Sequence, residues 1–323
     1  MTKFTRRTFV ASGAAGASLA LLGQRLSVFA QEGDKPEIGV GSKDFTESIL
    51  LGEIIAQILE NAEFKVNRQL NLGGTVVAHE ALANGDIDTY VEYTGTGLLA
   101  ILGEDLPETL DPEASASPES GATPLTGMDP VYDIVAREYP EQFGIEWLEP
   151  WGFNNTYVMA VRGDTAQEFG LESLSDLEGH AGDMIVGGTQ EFLIRPDGLD
   201  ALEQTYGLSF KDAIGLDPGL VYSALDNEDV DIISATATDG RIPALGLVPL
   251  EDDKGFFPPY YAAPLVRQDT LGAAPELADL LNQFAGTISD EDMANLNYEV
   301  DDGGKEVDEV ARQFLIDRGI VEG

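Results

Sequence analysis

Apolar residues recur along this chain with two alternating periods. Glu37 to Lys43 is a short, small-residue run that reads as a strand ending in a polar loop. Thr46 to Asn61 (TESILLGEIIAQILEN) then places Ile49, Leu50, Ile54, Ile55 and Ile58 at helical spacing, which predicts an amphipathic helix. Phe64 to Leu70 predicts a second strand, and Gly73-Gly74-Thr75 opens a helix through Leu82. Asn84-Gly85-Asp86 turns into a third strand from Ile87 to Tyr93. Strands and helices alternating at this length imply a layered α/β fold. The third strand runs straight into Thr94-Gly95-Thr96-Gly97, a stop of small residues whose backbone can approach another group closely. Ligands of open α/β sheets sit outside the carboxyl ends of strands. Tyr93, expected at the sheet's edge, and Thr96 are therefore the first candidates for ligand contact.

The pattern lapses from about Glu104 to Asp129, where Pro, Ser, Ala, Gly and acids dominate, and a surface insertion is expected there. Val131 to Tyr139 resumes a helix, and Trp151 to Val161 predicts a strand running across the molecule. The later half then echoes the earlier one. Ala224-Leu225-Asp226-Asn227-Glu228-Asp229-Val230-Asp231 follows Ala81-Leu82-Ala83-Asn84-Gly85-Asp86-Ile87-Asp88, and Ile185 to Phe192 follows Gly39 to Phe45. Two such echoes in the same order predict two similar lobes facing each other. In that register Thr236 falls opposite Tyr93, and Gln190 opposite Lys43. The aromatic, proline-bounded stretch Asp252 to Pro264 suits a return to the first lobe, so residues 152–157 and 257–264 would form a two-strand hinge. The helical segment Pro275 to Ile320 would complete lobe one. The expected division is 31–153 with 262–323 for lobe I and 154–261 for lobe II.

Composition changes this picture in three ways. The chain of 323 residues carries 58 acidic against 18 basic residues, a formal net charge of -40. Such a charge repels nucleic acid and anionic membrane surfaces and describes a heavily solvated exterior, soluble at high salt. There is no cysteine, so disulfides, thiolate chemistry and a lipidated N-terminal cysteine are excluded. The histidines, His79 and His180, lie far apart, so neither a metal site nor a cofactor is implied. Finally, residues 1–30 read as a twin-arginine signal: Thr5-Arg6-Arg7-Thr8-Phe9, a Gly/Ala-rich core, and a small-x-small pattern ending at Ala30. The core is too short for a comfortable membrane span, so an exported protein is expected, either released or tethered by an uncleaved signal.

GSKDFTES at 41–48, EYTGTG at 92–97, GFNNTY at 152–157, TDGRI at 238–242 and DDKGFFPPYYAAP at 252–264 occur in order over most of the chain. Together they resemble the substrate-binding proteins of ABC importers for glycine betaine, carnitine and choline. The resemblance implies a type II periplasmic-binding-protein fold with ligand in the interlobe cleft. It also implies a monomer without enzymatic activity that serves a membrane permease. Matched motif to motif, it implies an aromatic cage at Tyr93, Tyr157, Thr236 and Tyr260, with Asn155 on its rim. Lys43, Thr96 and Arg195 are the positions for a carboxylate tail. Thr236 departs from the family's tyrosine, which leaves three walls or calls on Tyr222 or Tyr90 to supply a fourth. Where choline-selective relatives tend to carry an acid, this chain has Thr96, so a zwitterion is favoured over choline. The chemistry agrees with the cage. A trimethylammonium group donates no hydrogen bond, and each tyrosine face that receives it is worth about 0.5–2 kcal/mol. Competing readings are a sensor, a binder of another small zwitterion or amino acid, and a hydrolase using paired carboxylates, for which Asp239 is the nearest candidate.

Overall fold

The computed structural model describes residues 35–107 and 129–323. The twin-arginine segment and most of the acidic insertion lie outside the described residues.

Ten strands form two five-stranded mixed sheets. The first holds β1 (Glu37–Gly41), β2 (Lys65–Gln69), β3 (Thr89–Tyr93), β4 (Ile145–Trp147) and β10 (Ala262–Arg267), in the order β2-β1-β3-β10-β4. The second holds β5 (Tyr157–Arg162), β6 (Ile185–Thr189), β7 (Asp212–Leu216), β8 (Ile232–Thr236) and β9 (Leu247–Leu250), in the order β7-β6-β8-β5-β9. In each sheet four strands run in one direction and the remaining one, β10 or β5, is antiparallel to both its neighbours. The two sheets thus share one topology, which is the physical counterpart of the internal echoes. Tyr93 and Thr236 are the last residues of equivalent strands.

Burial explains the elements. Helix α1 (Thr46–Asn61) buries Leu50, Leu51, Ile54, Ile55 and Ile58 against the first sheet and the helix Val307–Asp317. Ile49, part of the predicted stripe, instead lines a cavity. Helix α2 (Thr75–Asn84) ends at Gly85, whose left-handed φ of 80° closes the turn into β3. The helix Pro130–Phe143 starts at Asp129, whose carboxylate accepts from the Val131 amide at 2.9 Å. Burial pushes the Asp129 carboxyl up to about 6.

The chain passes from one sheet to the other twice, between β4 and β5 and between β9 and β10. The two passes run side by side: Asn154 bridges Tyr261, and the Tyr260 amide donates to Asn154 Oδ1 at 2.7 Å. One local expectation is corrected here. Residues 151–155 are not an extension of β5, because their hydrogen bonds go to the other pass and to the 284–290 segment rather than into a ladder. The small-residue stop after β3, Thr94–Thr96, is a helical turn that continues as a π-helix over Gly97–Leu102.

Candidate functional site

One cavity of about 590 Å³ lies where the carboxyl ends of β1, β3, β6, β7 and β8 meet the starts of β5 and β10. Lys43, Tyr93, Thr96, Asn155, Tyr157, Arg195, Thr236 and Tyr260 all line it.

The local sequence explains how these groups are held. Tyr93 is the last residue of β3, the central strand of its sheet, and is buried at that strand's carboxyl end. Gly95 is glycine because a Cβ there would lie 2.9 Å from the Tyr260 ring and 2.8 Å from the Pro259 carbonyl. The small residues after β3 therefore make room for Tyr260. Tyr157 opens β5 and packs between Phe192, Phe257 and the edge of Tyr260, with ring centroids at 5.1, 5.8 and 5.6 Å. Tyr261 is buried and does not line the cavity.

Three charged networks hold the rings. In the first, Lys43 Nζ lies 2.5 Å from Glu92 Oε1 and 3.4 Å from Thr75 Oγ1, 4.7 Å above the Tyr93 ring and 5.7 Å from that of Phe45. Glu92 also accepts from the Tyr90 hydroxyl at 3.0 Å. In the second, the Arg195 guanidinium forks onto Asp197 at 2.8 and 2.5 Å, and reaches Thr96 Oγ1 at 3.1 Å and Glu191 at 3.2 Å. The Tyr260 hydroxyl donates to the same Asp197 at 2.5 Å. Burial would lower the Arg195 pKa, but Tyr157, Asp197 and Tyr260 raise it well above the ordinary value, so its charge is permanent. Burial pushes Tyr157 up to about 12 and keeps its hydroxyl neutral.

In the third network the buried Glu47 accepts four hydrogen bonds. They come from the Tyr93 hydroxyl at 2.8 Å, Asn155 Nδ2 at 2.5 Å, the Thr238 hydroxyl at 2.6 Å and Asn297 Nδ2 at 2.9 Å. Burial raises its pKa and outweighs those four donors. Glu47 therefore ties the first sheet, the crossing chain, the segment after β8 and the helix Asp290–Asp301 to one carboxyl group.

Several contacts join the sheets directly across the cavity. Besides Arg195 to Thr96, the Thr75 amide at the start of α2 donates to Glu191 at 3.2 Å, and Arg241 pairs with Asp301 at 3.2 Å. Burial alone would push the Glu191 carboxyl up, but Lys43, Thr75 and Arg195 outweigh it and hold it below its ordinary value. Gly240 presses so closely on the helix Asp290–Asp301 that a Cβ would meet the Ala294 carbonyl at 2.5 Å.

The geometry revises the charge balance expected of the cleft. Lys43 and Arg195 are not two spare bases: each is already paired with a buried carboxylate. Lys43 keeps one of its three donors and Arg195 one of its five. A carboxylate here would meet directed hydrogen bonds in a set where Lys43 and Arg195 already face three carboxylates, Glu92, Asp197 and Glu191. Nor does Tyr222 or Tyr90 replace the missing fourth wall. Tyr222 lines the cavity but carries Arg241 at 4.0 Å over its ring, and Tyr90 lies in the core. Asp239 caps the turn, accepting from the Arg241 amide at 2.9 Å, and is forked by the Arg241 guanidinium. Sequence reasoning missed Phe45, Glu47 and Glu92. All three sit inside the motifs it singled out.

Residues 36–317 match the family described as the substrate binding domain of ABC-type glycine betaine transport systems. The carnitine transport binding protein OpuCC of Listeria monocytogenes is 37% identical over 90% of this chain and 89% of its own length. The glycine-betaine-binding protein of Pseudomonas aeruginosa is 35% identical over 88% of each chain. A crystal structure described as a glycine betaine/carnitine/choline ABC transporter superposes with a TM-score of 0.67 at 32% identity, covering 88% of this chain and 99% of that one. These relatives are binding components of importers, not enzymes, and share the two-sheet type II fold. The chain belongs to the family of substrate-binding domains of ABC-type glycine betaine transport systems.

Proposed function

We propose that the cavity binds a quaternary ammonium compatible solute such as glycine betaine and that the protein delivers it to a membrane permease. The observation that carries this reading is the convergence of Tyr93, Tyr157 and Tyr260 with Arg195, Thr96 and Lys43 on one cavity between the sheets. The trimethylammonium head lies against the three rings, which replace its loosely held water with negative ring faces. The carboxylate takes the remaining donors of Arg195 and Lys43, and Thr96 fixes the guanidinium. The relatives named for carnitine and for glycine betaine point to the same ligand class.

Each sheet with its helices acts as a lobe, with boundaries near residues 153 and 262, and the paired crossings act as the hinge. Both lobes contribute walls, so the ligand has more contacts in the closed arrangement than in an open one, and that difference drives closure. The Thr96–Arg195, Thr75–Glu191 and Arg241–Asp301 contacts are those that opening would break. The protein is exported by the twin-arginine route and works outside the cytoplasm as a monomer. Calorimetric titration tests the ligand class. Glycine betaine, proline betaine or carnitine should bind with micromolar or better affinity, choline more weakly, and glycine not at all; glycine binding as well as its trimethylated form would refute the reading.

A further inference from the structure

We propose that Glu47 supplies the negative charge that selects a cationic head group, and that it acts through the hydroxyl of Tyr93. The inference rests on the quaternary-amine reading above and names the source of its preference for charge.

Elimination among the acids of the cavity points to Glu47. Six carboxylates line it. Asp44 and Asp217 are exposed, so water and salt screen them. Glu191, Asp239 and Asp301 are each paired with an arginine, at 3.2, 2.6 and 3.2 Å. Glu47 is different. It is 3% exposed, and its four partners, Tyr93, Asn155, Thr238 and Asn297, are all uncharged. Lys43 lies 4.7 Å over the Tyr93 ring, but Glu92 already matches its charge at 2.5 Å.

The hydrogen bonds suit the charged form of Glu47. Its Oε1 receives Tyr93 and Asn155, and its Oε2 receives Thr238 and Asn297. An ionised carboxylate accepts at about four lone-pair sites, so none is left for a proton. Burial opposes that charge and raises the pKa of the group. A resident arginine would relieve the opposition permanently; a cationic ligand relieves it only on binding, so the two charges stabilise each other. The link to the ligand is the Tyr93 hydroxyl, which donates to Oε1 at 2.8 Å. A phenol donating to a carboxylate has a more electron-rich ring, and its face attracts a cation more strongly. A cation within about 6 Å of that ring's centroid lies roughly 8 Å from the carboxylate. At an effective dielectric of about 20, unit charges at that separation change affinity by more than tenfold.

The test is calorimetry on Glu47→Gln with glycine betaine, choline and 3,3-dimethylbutanoate, the last an analogue of glycine betaine with an uncharged head. Glycine betaine and choline should each weaken at least about tenfold, while 3,3-dimethylbutanoate stays within about threefold or binds more tightly. Loosening of the cage alone would weaken all three alike. Equal losses for all three, or no loss for the two cations, would overturn the role of Glu47 and leave the quaternary-amine reading standing. Failure of both cations to bind the wild-type protein would overturn both. If Glu47→Gln does not fold, Tyr93→Phe decides, because it keeps the ring and removes the link. The ratio of glycine betaine to 3,3-dimethylbutanoate affinity should then fall several-fold, and an unchanged ratio overturns the proposal.

Discussion

Replacing Tyr157 with leucine should weaken glycine betaine about thirtyfold while the protein stays folded. A cation on a desolvated tyrosine face gains about 2 kcal/mol, and 1.4 kcal/mol is tenfold in affinity. Leucine keeps an apolar body against Phe192 and Phe257, whose ring centroids lie 5.1 and 5.8 Å from that of Tyr157. What disappears is the negative ring face. Choline should lose the same factor, since it shares the trimethylammonium head. Calorimetry on the variant checks this beside a thermal melt; an unchanged affinity would mean that Tyr157 packs the core and does not face the ligand.

Arg195→Ala should do two separable things. It strips the fork from Asp197, which is 4% exposed and otherwise accepts from Tyr260. Removing one partner of a buried pair costs about 3–5 kcal/mol of stability. It should also weaken glycine betaine far more than choline, because only the zwitterion has a carboxylate for Arg195 to hold. The double change Arg195→Met with Asp197→Leu separates the effects. It should restore most of the stability, since a packed apolar pair can replace a buried ion pair at little cost, but none of the preference for the carboxylate. Equal losses for betaine and choline would contradict the assignment of Arg195 to the tail.

The alternation of elements, the internal echo and the two passes between halves were legible because they rest on periodicity and punctuation, which are local. The charged partners were not. Glu92 sits in a five-residue strand buried on both faces, so no alternation marks it as the partner of Lys43. Glu47 lies in the first turn of α1, where an acid is ordinarily explained by the helix dipole. Its burial comes from Thr238 and Asn297, which only the folded chain brings to it. The glycines after β3 signalled a close approach correctly, but the partner is the Tyr260 ring, and the backbone there is helical.

The central claim is that charge on the head group, and not its bulk, is what the three rings recognise. The most direct measurement is a calorimetric titration of glycine betaine against 3,3-dimethylbutanoate, which has the same shape and carboxylate but carbon in place of the quaternary nitrogen. Three ring contacts at about 0.5–2 kcal/mol each place glycine betaine at least tenfold tighter. Equal affinity for the two would show that the site selects a greasy shape with a carboxylate, and would contradict the aromatic cage.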